Sequence, residues 1–121
     1  MKKLLLVTLI FGFMLVATQA NAGGDVAAGQ EKSQVCAACH GAEGNSTSPD
    51  FPILAGQHES YLAEALHQYR AAAKDEERAG KRSNAIMMGM AAGLSDEDIE
   101  NLAAFYASQQ GPLGKIPMRK P

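Results

Sequence analysis

Cys36 and Cys39 are the only cysteines of this 121-residue chain, and His40 follows the second directly in VCAACHG, residues 35–41. Thiols at this spacing serve four chemistries. A disulfide would close a very short loop and stabilise little, because the gain grows with the length of chain enclosed. A redox dithiol normally sits at a strand-to-helix turn of a βαβ unit. A zinc site wants a fourth ligand beside two Cys and His40, and the other histidines, His58 and His67, stand at no obvious metal spacing. The fourth use is covalent anchorage: C-x-x-C-H is the attachment signature of haem c, in which both thiols add across vinyl groups and the adjacent imidazole ligates the iron.

The elements around the motif decide among these. No period-two alternation marks a strand, so the βαβ context of a dithiol is missing. Asp25–Val35 reads as a short helix with Val26, Gly29 and Val35 toward one side. Residues 41–57, rich in Gly, Asn, Ser and Pro, read as irregular. Glu59 or Ser60 can cap a second helix, along which Leu62, Leu66, Tyr69 and Ala73 form an apolar stripe. KDEERAGKR, residues 74–82, reads as its solvated end, and Ser83–Gly93 as a loop rich in Met and Gly. LSDEDIENLAAFYASQQG gives the clearest helix. Ser95 is its N-cap, Asp98 stands at the capping-box position, Ile99, Leu102, Ala103 and Tyr106 repeat at helical spacing, and Gly111-Pro112 stops it. His58 and His67 fall outside the stripe and read as solvated. The expected class is all-α with long loops, and in that setting the motif points to haem.

The N-terminus sets the compartment. Met1-Lys2-Lys3, the apolar run Leu4–Val16 and then Ala20-Asn21-Ala22 follow the order of a secretory signal peptide. Cleavage is expected after Ala22, with export to a bacterial periplasm. The competing reading is an uncleaved anchor, although the run is shorter than the roughly 20 residues a span needs. Loss of Lys2 and Lys3 takes the formal charge from −2 to −4. Such a chain has no basic nucleic-acid footprint. Its 99 residues from Gly23 suit one small domain, a size at which a cofactor or covalent staple often supports the core.

GDVAAGQEKSQVCAACHGAEGNSTSPDFPILAGQ and GKRSNAIMMGMAAGLSDEDIENLAAFYASQ together resemble the small bacterial periplasmic cytochromes c of the mitochondrial-type fold. The single haem domains of di-haem bacterial cytochromes c and the cytochrome subunit of flavocytochrome c sulfide dehydrogenase are especially similar. The resemblance covers nearly all of the chain after Ala22. It departs in AAAKDEERA between Tyr69 and Gly80, which is longer than usual, in having one haem domain, and in the tail after Gln110. It implies three main helices and long loops around one covalent haem c, held by Cys36 and Cys39 with His40 as axial ligand.

The resemblance also implies a sixth ligand from the loop before the last helix. Met87, Met88 and Met90 compete, and counting back from Leu94 in the family register selects Met87. Pro52 matches a proline whose carbonyl accepts the His40 Nδ1–H. Gly29 and Phe105 match the crossing of first and last helices. Tyr61 and Arg82 could reach the haem carboxylates, but both read first as half-buried or exposed surface residues and are not assigned to the site.

His/Met ligation leaves no open iron position, so the implied function is one-electron transfer to periplasmic redox partners and not catalysis. A second function is the haem subunit of a larger oxidoreductase, fed by a flavoprotein. A third, a small peroxidase or gas sensor, requires the methionine to leave. The domain plan is 1–22 signal peptide, 23–110 haem domain and 111–121 tail. The tail carries Lys115, Arg119 and Lys120, a formal +3, against −7 for residues 23–110. It is expected to be extended, either as a solubilising end or as a contact for an acidic partner beside an apolar patch at Ala37, Ala38 and Met87–Met90.

Overall fold

A computed structural model describes residues 23–74 and 82–113. The expected signal peptide, most of the mixed-charge run and most of the basic tail lie outside the described residues. Within them the elements are α1 (Val26–Lys32), a 3-10 turn (Ser33–Val35), α2 (Ala37–His40), a second 3-10 turn (Ala42–Gly44), α3 (Glu59–Lys74), α4 (Ala85–Ala91) and α5 (Asp96–Ser108). Among the described residues there is no strand, as the missing alternation implied.

Helix α5 is the spine. Ser95 accepts from the Asp98 N–H while the Asp98 carboxylate accepts from the Ser95 N–H, so the expected capping box is formed, both bonds at 3.0 Å. Ile99, Leu102, Ala103, Phe105 and Tyr106 are buried, and Leu62 and Ala63 of α3 complete the cluster. The helix ends at Ser108, before the Gly111-Pro112 stop.

The crossing of α1 and α5 is set by a glycine. A Cβ on Gly29 would stand 2.0 Å from the Asn101 carbonyl oxygen and 2.8 Å from the Phe105 Cβ. Only a residue without a side chain allows that approach, which is the Gly29–Phe105 contact implied by the resemblance. Asn101, itself buried, accepts the Asp25 N–H at 2.6 Å. Lys32 bridges Asp98 at 2.9 Å on the same seam.

Several expectations need correction. The first helix is interrupted: α1 stops at Lys32 and the chain tightens to 3-10 geometry through Val35. Val26 and Val35 are 43% and 66% exposed, so only Gly29 of that expected face is buried. Glu59 and Ser60 lie inside α3 and do not cap it. The stripe of α3 ends on Ala72, 1% exposed, and not on Ala73. One residue turns a helix by about 100°, which is enough to move the last position off the buried face.

The larger correction is α4, which occupies most of the expected Ser83–Gly93 loop. Asn84 caps it by accepting the Met87 N–H at 3.0 Å. Ile and Met residues flanked by alanines propagate the helix despite Gly89.

Candidate functional site

The VCAACH stretch is itself a folded turn. The His40 N–H donates to the Cys36 carbonyl at 3.0 Å, and the Gly41 N–H to Ala37 at 2.9 Å. Gly41 then takes φ 79°, and a Cβ there would stand 2.6 Å from the Asn45 carbonyl oxygen. The chain can therefore reverse directly after His40 because position 41 is glycine. One turn of helix separates Cys36 from Cys39, which presents both sulfurs beside the imidazole. Cys36 is half-buried and Cys39 exposed. Burial pushes the Cys36 thiol above its ordinary pKa, despite its contact with Tyr106.

His40 is 6% exposed. Its Nδ1 lies 2.8 Å from the Pro52 carbonyl oxygen. That carbonyl fixes the tautomer: Nδ1 carries the proton and donates, and Nε2 is left with its lone pair for a ligand. The 41–57 segment that presents Pro52 is anchored by Leu54 N–H to Gly44 at 2.9 Å and by Gly56 N–H to Tyr106 at 3.0 Å. The irregular loop thus has a positional task.

Two adjoining cavities, of about 200 Å³ and 300 Å³, meet at these groups. Cys36, His40, Pro52, Tyr69, Met87 and Met90 line both, so they form one mainly apolar slot. Leu62, Leu66, Leu94 and Leu102 wall its inner part. Cys39, Phe51 and Ile86 stand on the outer part. Met87 is half-buried, whereas Met90 is 41% exposed and Met88 lines neither cavity. The structure therefore brings Cys36, Cys39, His40 and Met87 around one slot, and makes Met90, one helical turn on, the neighbouring thioether.

These residues fit a haem on their own chemistry. Two thiols, an imidazole with a fixed tautomer and a thioether surround an apolar slot. Among the described residues, no group of three His, Cys, Asp or Glu side chains is placed to hold a metal ion. Tyr106 adds a further observation. Its hydroxyl is buried on the slot without a hydrogen-bond partner among the described residues. Burial, with Cys36 beside it, holds its pKa well above the ordinary phenol value.

Arg82 closes one end of the slot. Its guanidinium lies 5.3 Å from the Tyr61 ring centroid and 5.5 Å from that of Tyr69. It donates to the Tyr61 hydroxyl at 3.1 Å and to Gln68 Oε1 at 3.2 Å. This cluster was not legible as a unit, because the partners are 14 and 21 residues apart. His58 is exposed as expected. His67 is not simply solvated: it stands 3.5 Å from Glu100 and 3.1 Å from Arg70.

The family model described as cytochrome c matches residues 26–110. Cytochrome c4 of Pseudomonas aeruginosa is 47% identical over 110 residues, which cover 91% of this chain and 50% of that protein. Cytochrome c-554(548) of Halomonas halodenitrificans is 46% identical over 87 residues, covering 72% of this chain and 99% of that protein. The crystal structure of reduced recombinant cytochrome c4 from Pseudomonas stutzeri superposes with a TM-score of 0.67 at 47% identity, covering 73% of this chain and 47% of that one. The chain spans about half the length of the cytochromes c4 it matches.

Proposed function

The chain belongs to the cytochrome c family, whose members carry covalent haem c, and on that premise we propose that it is a periplasmic one-electron carrier with a single haem. Cys36 and Cys39 would hold the haem through two thioether bonds, and His40 and Met87 would ligate its iron. One observation supports this reading: Cys36, His40 and Met87 line a common slot in which the Pro52 carbonyl engages His40 Nδ1 and leaves Nε2 free.

When bound, the haem supplies a one-electron iron couple, and every other part of the task falls to the chain. Cys36 and Cys39 hold the ring against loss to solvent. His40, oriented by Pro52, gives a basic nitrogen donor. Met87 offers a soft thioether, which would favour the reduced iron relative to a second imidazole and so would raise the potential. Leu62, Leu66, Leu94 and Leu102 keep water from the inner part of the slot, which limits reorganisation when charge changes. Arg82, at the slot's end, is the group suited to meet a haem carboxylate.

Partner redox proteins would be met at the slot's outer edge. Val35, Ile86 and Met90 line it and are 66%, 61% and 41% exposed. A small apolar rim of this kind permits close approach, while charges farther out orient the encounter. Export rests on the N-terminal signal pattern. Among the described residues, no helix is long and apolar enough to cross a membrane. A chain of this size has a counterpart in cytochrome c-554(548), nearly all of which is matched.

The purified protein should titrate as one single-electron wave, and its reduced form should not bind carbon monoxide. Prompt carbon monoxide binding would mean an open iron position and would replace the carrier by a sensor or peroxidase.

A further inference from the structure

Arg70 joins three elements. Its Nη1 donates to the Leu94 carbonyl oxygen at 2.8 Å, across 24 residues of sequence. Its Nη2 donates to Asp96 Oδ1 and stands 3.1 Å from His67 Nδ1. That nitrogen therefore accepts, and the His67 proton sits on Nε2, 3.5 Å from Glu100 Oε1. The Arg70 side chain is 18% exposed, so water competes weakly for its bond to the Leu94 carbonyl, whereas the Asp96 side chain is 81% exposed. The Arg70 hydrogen bond holds the Asp96 carboxyl below the usual carboxylate range.

Leu94 is the exit of α4. Its N–H closes a turn onto the Ala91 carbonyl at 3.1 Å, and the next residue is the Ser95 cap of α5. Helix α4 has seven residues. A helix so short is not stable alone, and its placement depends on what ties its ends. Asn84 ties the start by accepting the Met87 N–H. Arg70, reaching from α3, ties the end.

We propose that Arg70 is a positioning residue for Met87: its bond to the Leu94 carbonyl fixes the exit of α4 and thereby resists displacement of the Met87 sulfur by an outside ligand. This rests on the reading of Met87 as axial ligand. The contact differs from the Lys32–Asp98 pair, whose side chains are 45% and 24% exposed, because ion pairs open to water contribute little. Arg70 gives a charged donor to a backbone carbonyl in a largely covered place, a stronger kind of bond. The planar fork also reaches carbonyl, carboxylate and imidazole together, which a lysine ammonium on a flexible stem does not.

The test is a cyanide titration of the oxidised haem-loaded protein, with a urea melt beside it. Cyanide must open the methionine side, so its apparent affinity reports the fraction of time Met87 is away. Arg70→Met should bind cyanide about tenfold more tightly than the parent, as expected for loss of one charged hydrogen bond. Arg70→Lys should move the same way by less, and it carries the test if the Met variant does not mature. Asp96→Asn keeps the Leu94 bond and should stay within about twofold of the parent. Parent-like cyanide affinity in the Arg70 variants, even with a lower urea midpoint, would make Arg70 structural only and overturn the proposal. So would an Asp96→Asn effect equal to that of Arg70→Met. Retention of the red charge-transfer band in Met87→Ala would remove the ligand reading itself, an outcome separable from either of these.

Discussion

His40 Nδ1 and the Pro52 carbonyl oxygen stand 2.8 Å apart, twelve residues away in sequence. The relationship joins the covalent motif to a loop that otherwise has little regular structure. It fixes which ring nitrogen is free and which way the ring faces. Replacing Pro52 by Gly keeps the carbonyl but loosens the backbone that presents it, at a cost of up to about 1 kcal/mol. The His40 Nδ1 proton of the loaded protein should then exchange with solvent up to about fivefold faster, the equivalent of that energy. Exchange measured by NMR checks this, and an unchanged rate would mean that the proline contributes nothing to the hold.

Met87 and Met90 both line the slot, and Met88 does not. Met87→Ala should abolish the red-region charge-transfer band of the oxidised protein and lower the potential markedly. Met88→Ala should leave both unchanged. Met90→Ala is the discriminating control, because only it can supply a thioether from the next turn of the same helix face. Its band should persist. Loss of the band there, with retention in Met87→Ala, would move the ligand by one turn.

Gly29 fits the α1–α5 crossing because a Cβ would stand 2.0 Å from the Asn101 carbonyl. That obstacle is backbone and cannot rotate away. Gly29→Val should force the helices apart and destabilise the loaded protein by about 3 kcal/mol or more, above the usual range for overpacking. Urea unfolding checks the size. A cost below about 1 kcal/mol would show that the helices separate freely.

Asp98 is held below the ordinary carboxylate pKa by the Ser95 backbone N–H first and by Lys32 second. Its folded value lies below its unfolded one. The stability it adds is therefore complete above the unfolded value of about 3.9 and is lost as pH falls through the folded value. Asp98→Ala should cost about 1 kcal/mol at pH 7, as for loss of a cap. The gap between variant and parent should narrow toward pH 2. A gap independent of pH would assign the cost to something other than this carboxylate.

How far the sequence reached depends on the range of the interactions. The Cys36–His40 motif and the Ser95–Asp98 box are complete within five and four residues, so both could be read directly. The Gly29–Phe105 and His40–Pro52 contacts came through family register, because nothing local in GQEKS or SPDFP announces a distant partner. Helix α4 was missed. Gly89 interrupts its methionines and Gly93 follows them, its cap is a single Asn84 side chain, and it packs on the distant α3. The Arg70 bonds to Leu94 and Asp96 and the stacking of Arg82 on Tyr61 and Tyr69 had no local signal in the chain, since each closes only when α3 packs on its neighbours. The Ala72-for-Ala73 shift is a different kind of miss, a phase error of one residue near a helix end.

Covalent attachment through both thiols is the claim on which the rest stands. The direct measurement is the intact mass of the exported protein after acid-acetone treatment, made in a host able to mature cytochromes c. The account predicts a chain beginning at Gly23 that retains one haem, with Cys36→Ala and Cys39→Ala each weakening the hold and the double variant releasing the haem. A haem-free mass with the pigment in the acetone phase would contradict it.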